Sequence, residues 1–225
     1  GYMHACGHDL HMAIGVGAAK LIHANRSQMT GSVLLFFQSG EEGHGGADQM
    51  LQLGMHLADG ALPIAAYGIH VFSIGQSGTF STKSGPMMAS AGDMIVRFDG
   101  RAGHGSMPWL AKDPVTPMIQ AMASIQNLTS KSFSAFDQVI VNIGWIRAGD
   151  THTTNVIPEQ ASFGATIRTF SKENFTEIRS KLKKLIESTA EGFGVTATVE
   201  FLAASKVVVN EPAAVEKVRV AVTDL

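Results

Sequence analysis

The chain has few charged residues and no run of five or more like charges. Charged side chains make up 16% of its 225 residues, against about 25% in a typical soluble domain. Lys and Arg number 17 and Asp and Glu 19, which leaves a formal net charge of −2. Nucleic acid and anionic membrane surfaces are therefore poor candidates as partners, because both are bound through clustered cations. The 45% hydrophobic content also excludes a disordered, highly charged segment.

Long hydrophobic runs are absent, and there is a single cysteine. Lys20, His23 and Arg26 interrupt the most apolar early stretch, so no segment reaches the roughly 18 apolar residues of a transmembrane helix. Cys6 cannot form an internal disulfide, which leaves a reducing compartment, a metal ligand or a reactive thiol as its interpretations. We expect a soluble, cytoplasmic protein. Because the chain opens on Gly1 and not on Met, we also expect it to be a fragment of a longer protein.

Histidine and charge are unevenly distributed along the chain. All nine histidines lie within residues 1–152, and seven of them lie within the first 70 residues. Residues 1–90 hold eight formal charges, whereas residues 171–225 hold sixteen charges and no histidine. A region with many imidazoles, the only thiol and few charges is more typical of a metal site than of a solvated surface. We therefore expect the chemistry in the first region.

The hydrophobic pattern of residues 1–90 predicts part of an α/β domain. Two apolar runs have the length and composition of buried parallel strands, and two other stretches have the pattern of helices. Glu41, Glu42 and His70 follow the ends of the predicted strands, where open α/β sheets bind their ligands. In chain order the predicted elements are a buried helix at 10–25 with Asp9 as its N-cap, a strand at 33–37, a helix at 47–53 closed by Gly54, and a strand at 64–71.

Residues 91–203 show a different pattern, which predicts a second domain. Alternating strands and amphipathic helices follow one another in the order βαββαβ, a ferredoxin-like arrangement. The remaining residues, 204–225, hold a short apolar run, a turn and an amphipathic helix, and we expect them to return to the first domain. The predicted elements are strands at 94–98, 139–146, 161–167 and 195–201, a helix that Pro114 opens, and a helix that Ser171 caps.

A thiol, imidazoles and carboxylates form a candidate metal site. Cys6 and His8 flank a glycine just before a predicted helix, and Glu42 and His70 follow the two predicted strands. This mixed set suits a borderline-soft cation such as Zn, Mn, Co or Ni. The adjacent Glu41 can then act as general base toward a water molecule. The alternatives are a buried apolar thiol at Cys6, a structural core histidine at His70, and helix capping by the two glutamates.

Five motifs occur in order along the whole chain, and together they resemble a known family. The chain is similar to the dimetal amidohydrolases, which comprise hippurate hydrolases, N-acyl-amino-acid amidohydrolases and auxin-conjugate hydrolases, and which are related to aminoacylase and glutamate carboxypeptidase metallopeptidases. The motifs are HACGHD at 4–9, QSGEEG at 38–43, GIHV at 68–71, GHGSMP at 103–108 and NVIP at 155–158.

The resemblance implies a fold, two cofactors and a role for each motif. The fold is a metallopeptidase-like α/β catalytic domain, partial here, interrupted by a ferredoxin-like lid and dimerisation domain. Two divalent metal ions are implied, bridged by Cys6 and held also by His8, Glu42 and His70. Glu41 would be the base.

The resemblance also implies residues outside the metal site. In the family, the residue matching His104 stabilises the oxyanion in the partner subunit's site, with Asn155 nearby. The substrate would be a small N-acyl amino acid, and the chain would form a homodimer through the lid domain. Family members also supply a later metal-ligand histidine beyond residue 225. Ser39 and Gly40 stand where a Pro-Ala pair is common, and Trp109 where a histidine is common.

The remaining polar candidates have weaker motifs. Arg168 ends an alternating strand, and its guanidinium can grip a substrate carboxylate or simply pair on the sheet surface. His4 and Asp9 are expected only to orient ligands. The histidines at 11, 23, 44, 56 and 152 are interpreted as structural.

The sequence thus predicts a metal-dependent hydrolase of the amide bond in N-acyl amino acids. The alternatives are a dipeptidase or carboxypeptidase of the same superfamily, and a non-catalytic module that binds metal or forms dimers.

Overall fold

The computed structural model describes residues 1–42, 45–202 and 204–223. They form a mixed α/β structure, as the sequence predicts, divided into two compact units. The first unit contains residues 1–82 and the end of the chain from Glu216, and the second contains residues 83–215. No helix among the described residues has both the length and the apolar character needed to cross a membrane.

The first unit is built from helices and irregular segments. Its helices are α1 (His8–Ala24) and α2 (Gly46–Gln52), and single 3-10 turns follow at Arg26–Gln28 and Met55–Leu57. The prediction of α2 is confirmed, and Gly54 beyond it takes a left-handed φ of 72°, which glycine adopts without a steric penalty.

The predicted start and burial of α1 are wrong. The residue that precedes the helix is Gly7, with a left-handed φ of 91°, and no side chain caps the first turn. Asp9 lies inside that turn, where a carboxylate still interacts favourably with the helix dipole. No residue of α1 is buried. The apolar composition of the helix predicts a buried environment, but other elements must supply the covering surface.

The two strands predicted in the first unit are also not formed. Residues 33–37 and 64–71 have no ladder partner within the described chain and no regular secondary structure. Apart from the half-buried Val71, their large apolar side chains are exposed: Phe37 keeps 51% of its surface accessible, and Ile64 is fully accessible. A short apolar run favours a strand, but a strand also needs a hydrogen-bonded neighbour.

The second unit contains a four-stranded antiparallel sheet. The elements of the unit are β1 (Gly85–Met88), β2 (Ser90–Asp99), β3 (Gly103–His104), a 3-10 turn (Pro108–Leu110), α3 (Val115–Ser132), β4 (Val139–Ala148), β5 (Val156–Ile157), β6 (Gln160–Thr169), α4 (Lys172–Gly192), β7 (Thr196–Phe201) and β8 (Val208–Asn210). The order in the sheet is β4, β6, β2, β7, and helices α3 and α4 connect its strands, so the predicted βαββαβ order is confirmed. A final helix, α5 (Pro212–Thr223), runs across the boundary between the units.

One hydrophobic core belongs to this second unit. On β2 every second residue is buried, so Met94, Val96 and Phe98 point to the same side of the sheet. Helix α4 contributes a stripe of buried residues at helical spacing, and Ser171 caps its start by accepting a hydrogen bond from Asn174 N at 3.0 Å. The buried hydrophobic cluster is Met94, Val96, Phe98, Met118, Ala121, Ile125, Val141, Ala161, Phe163, Ala165, Ile167, Ile178, Leu182, Ile186, Ala190 and Val195.

Candidate metal centre

Imidazole and carboxylate groups meet at the start of α1. His8 is the first residue of the helix, and Glu41 and Glu42 lie in a turn that follows the apolar segment 33–37. His8 Nε2 lies 3.5 Å from Glu41 Oε2 and 3.7 Å from Glu42 Oε1. His4 Nε2 lies 3.4 Å from the same Glu42 oxygen. The ligand atoms of His4, His8 and Glu42 all lie within 4.8 Å of one another, a spacing at which they can share a metal ion.

Two further predicted ligands, Cys6 and His70, contact each other. Cys6 Sγ lies 3.4 Å from His70 Nε2. The other ring nitrogen, His70 Nδ1, lies 2.7 Å from Val71 O. Because a carbonyl oxygen can only accept, His70 donates from Nδ1, and the Nε2 atom of the neutral ring is free to bind a metal ion. Donation from the second ring nitrogen to a backbone carbonyl is usual for histidine ligands.

Electrostatics at Cys6 favour a bound cation. Partial burial raises the pKa of the Cys6 thiol, and a hydrogen bond to Glu42 and the negative charges of Glu42 and Glu41 raise it further. A divalent cation reverses this effect, because it stabilises the thiolate as a ligand. A thiol, imidazoles and carboxylates gathered at one place are also the donor set of a borderline divalent ion. The residues therefore fit such an ion.

The structure brings together the residues that the sequence singled out in the first unit. Cys6, His8, Glu42 and His70 are joined by the contacts above, and Glu41 lies against His8. What positions them differs from the prediction, since the two glutamates stand in a turn and His70 in an irregular segment, with no strand before either.

Two histidines occupy positions that the sequence pattern did not predict. His4, expected only to orient a ligand, is one of the three closely grouped donors. His11, interpreted as structural, lies against both flanking rings, with centroids 5.7 Å from His8 and 4.6 Å from His70. Partial burial lowers the pKa of His11, and the His70 and His8 rings lower it further. The spacing of three residues from His8 along a helix was the available signal.

The candidates in the second unit form a small pair of strands. In the β3 and β5 ladder, His104 is opposite Val156, and Gly105 N donates to Asn155 O at 2.7 Å. The ladder therefore places His104 and Asn155 on two neighbouring segments. Ser106 N donates to His104 Nδ1 at 3.1 Å, so the neutral His104 ring carries its proton on Nε2.

Arg168 lies on an exposed position of β6, opposite Ala91 on one side and Ile140 on the other. Within the described part of the chain it forms no ion pair, so the surface-pairing alternative has no partner there.

The histidines interpreted as structural have varied surroundings. His23 Nε2 lies 3.0 Å from Arg26 Nη1, and the backbone of His152 donates to Asp150 at 2.8 Å. The Nδ1 atom of His56 is buried without a hydrogen-bond partner among the described residues. His44 lies outside the described residues.

Comparison with known proteins agrees with this chemistry. The chain is 32% identical over 206 residues to the IAA-amino acid hydrolase ILR1-like 4 of Arabidopsis thaliana. The match covers 92% of this chain and 46% of that protein. The chain is 34% identical over 197 residues to the N-acetylcysteine deacetylase of Bacillus subtilis. This match covers 88% of this chain and 50% of that protein. The chain thus spans about half the length of these curated relatives.

A solved structure matches almost the whole chain. The YXEP protein of Bacillus subtilis, described as a dinuclear metal binding peptidase from the M20 family, superposes with a TM-score of 0.76 at 29% identity. The match covers 99% of this chain and 55% of that protein. The model of the peptidase family M20/M25/M40 matches residues 1–225. With its whole length matched by that model, the chain is a member of the peptidase family M20/M25/M40.

Proposed function

We propose that this chain carries the metal centre of an amidohydrolase that cleaves the amide bond of N-acyl amino acids. The observation that carries the proposal is the convergence of a thiol, imidazoles and two carboxylates at the start of α1. Relatives named as a hydrolase of IAA-amino acid and as a deacetylase of N-acetylcysteine support this substrate class.

The proposed site holds two divalent ions, Zn, Mn, Co or Ni. Cys6, His8, Glu42 and His70 are the proposed ligands, and the position of His4 beside Glu42 makes it a further donor. Bound ions supply Lewis acidity toward the amide carbonyl and lower the pKa of water. The match to a solved protein described as dinuclear supports the number of ions.

Glu41 is the proposed general base. Its carboxylate lies 3.5 Å from His8 Nε2, at the edge of the donor cluster. In this role the carboxylate takes a proton from the attacking water and passes it to the nitrogen of the leaving amine. One acidic side chain then serves both halves of the reaction, and its neighbour Glu42 serves as a ligand.

The second unit supplies the other proposed contacts to substrate. Because Ser106 N donates to Nδ1 of His104, the Nε2–H of His104 is available to donate to the carbonyl oxygen as negative charge develops there. Asn155 is proposed beside it, and Arg168 is proposed to grip the substrate carboxylate with its two-pronged guanidinium. We propose that the chain dimerises through the lid domain, 91–203, so that His104 serves the site of a second copy. Residues 1–90 and 204–225 are then assigned to the catalytic domain.

A peptidase is the second candidate, because the matched solved protein is described as one. Both candidates use the same site, so the group on the substrate nitrogen decides between them: an acyl group for the amidohydrolase, or an amino acid with a free amine for the peptidase.

The test is metal removal followed by substrate profiling of the protein that carries this chain. Chelation to a metal-free sample should abolish hydrolysis of N-acetyl amino acids, and Mn, Zn, Co or Ni should restore it. Retained turnover without metal would overturn the proposal. Preference for dipeptides with a free amine would identify a peptidase, and metal binding without any hydrolysis would identify a non-catalytic module.

A further inference from the structure

His11 makes a hydrogen bond that reaches from α1 to the segment bearing His70. Val71 N donates to His11 Nε2 at 3.0 Å, although 60 positions separate the two residues in sequence. His11 lies one helical turn after His8, and its ring is edge-on to the His70 ring at 4.6 Å. It therefore sits between two proposed ligands that come from distant parts of the chain.

The peptide groups of Val71 are held at both ends by imidazoles. The N–H of Val71 donates to His11, and its C=O accepts from Nδ1 of His70 at 2.7 Å. A backbone N–H only donates, so His11 Nε2 bears no proton and the neutral His11 ring carries its proton on Nδ1. Holding the N–H of Val71 therefore restrains the residue whose C=O selects the tautomer of His70.

Gly7 allows Val71 to pack at this junction. A Cβ at position 7 would collide with Val71 Cγ2, and the left-handed φ of 91° is strained for any other residue. Gly7 O in turn accepts from His11 N at 3.0 Å. The start of α1, the His11 ring and Val71 thus form one contact, with Cys6 and His8 flanking Gly7.

We propose that His11 is a positioning residue for the metal centre. Its hydrogen bond to Val71 N holds His70 with Nδ1 as the donor and with Nε2 directed toward Cys6. The inference rests on the proposed function, because it takes His70 and Cys6 as metal ligands. Residues that orient histidine ligands in this indirect way are worth about 10- to 100-fold in metal affinity.

Two substitutions separate the hydrogen bond from the bulk of the ring. In His11→Gln the side-chain oxygen can take the place of Nε2 and accept from Val71 N, whereas His11→Leu fills similar space without an acceptor. His23→Leu on the same helix is the matched control, since His23 contacts Arg26 and none of the proposed ligands. Equilibrium titration of the metal-free protein with Co²⁺, followed by the thiolate-to-cobalt absorption band, reads out ligation without any assay of activity.

We expect His11→Leu to weaken Co²⁺ binding by about 10- to 100-fold, with His11→Gln and His23→Leu close to the unaltered protein. Equal affinity in the Leu variant, or an equal loss in the Gln and Leu variants, would overturn the proposal. If the unaltered protein gives no thiolate band with Co²⁺, the proposed function fails instead.

A second measurement uses the metal-free, unaltered protein, so it does not depend on whether a substituted protein folds. Nitrogen-15 NMR of the histidine rings in the metal-free, unaltered protein should show His11 with its proton on Nδ1 and His70 with its proton on Nδ1. A proton on Nε2 of His11 at neutral pH would overturn the proposal, because Val71 N would then have no acceptor there.

Discussion

The two units of this protein differ in where their apolar and polar residues lie. In the second unit, residues 83–215, a sheet and two helices bury a hydrophobic cluster that includes Phe98, Phe163 and Ile186. In the first unit, residues 1–82 and the end of the chain, α1 has no buried residue, while the thiol, imidazoles and carboxylates are gathered at its start. Stability and proposed metal chemistry are thus located in different parts of the chain.

Because of this difference, stability and metal binding can be measured separately. Both tryptophans, Trp109 and Trp145, lie in the second unit, so their fluorescence reports on that unit. Co²⁺ binding reports on the first unit through Cys6.

The largest effect on stability should come from the core of the second unit. Phe163 is fully buried on β6 between Val96 of β2 and Ile146 of β4. Phe163→Ala should lower the free energy of unfolding by about 3–5 kcal/mol, because it removes buried surface and leaves a cavity. Urea unfolding followed by tryptophan fluorescence measures this change.

The matched control is Phe136→Ala, since Phe136 is 99% exposed; that change should stay within about 0.5 kcal/mol. If the two substitutions have similar effects on the free energy of unfolding, the core of the second unit is not the main source of stability.

Glu41→Gln should separate chemistry from stability in the first unit. Loss of a general base should lower kcat by at least about 10²-fold, which corresponds to about 2.7 kcal/mol of barrier. Metal content should stay near normal, and the tryptophan-monitored unfolding should not change. Steady-state kinetics and metal analysis of the purified protein test both statements.

The adjacent carboxylate provides the contrast. Glu42→Gln should lower metal occupancy, because Glu42 is grouped with His4 and His8. If Glu42→Gln keeps its metal and Glu41→Gln loses it, the two roles are exchanged.

His104→Ala tests whether the second unit also contributes to the chemistry. Removal of one donor to the developing oxyanion should lower kcat by on the order of 10²-fold, with metal content unchanged. His152→Ala is the control, since it removes an exposed histidine from a turn of the same unit.

If His104 serves a second copy, mixed dimers of the Glu41→Gln and His104→Ala proteins should regain part of the activity. If activity does not recover after verified subunit exchange, His104 does not act in the site of a second copy.

The smallest effect should come from the cap of α4. Ser171 Oγ accepts from Asn174 N at 3.0 Å, and Ser171→Ala should cost about 1 kcal/mol of unfolding free energy. Ser180→Ala, at an exposed position inside the same helix, should be neutral or slightly stabilising, because alanine favours helix interiors. Equal destabilisation by both changes would show that the cap contributes nothing specific.

The sequence predicted the second unit more accurately than the first. In β2, β6 and α4 the period of apolar residues and the side of the core are set within each element, so the pattern can be read locally. The segments at 33–37 and 64–71 have apolar runs of the same quality, yet they form no strand. Strand formation depends on a partner that the run itself does not contain.

For the candidate metal centre, the residues could be predicted from the sequence, but their arrangement could not. Residue type and motif together selected five residues, because the ability to bind a metal or move a proton depends on the side chain. They are Cys6, His8, Glu41, Glu42 and His70. The position of His4 beside Glu42 and the hydrogen bond from Val71 N to His11 depend on the packing of the chain. The physical reason is distance along the chain: short-range spacing specifies a helix face or a turn, whereas contacts across 38 or 60 residues depend on how separate segments pack.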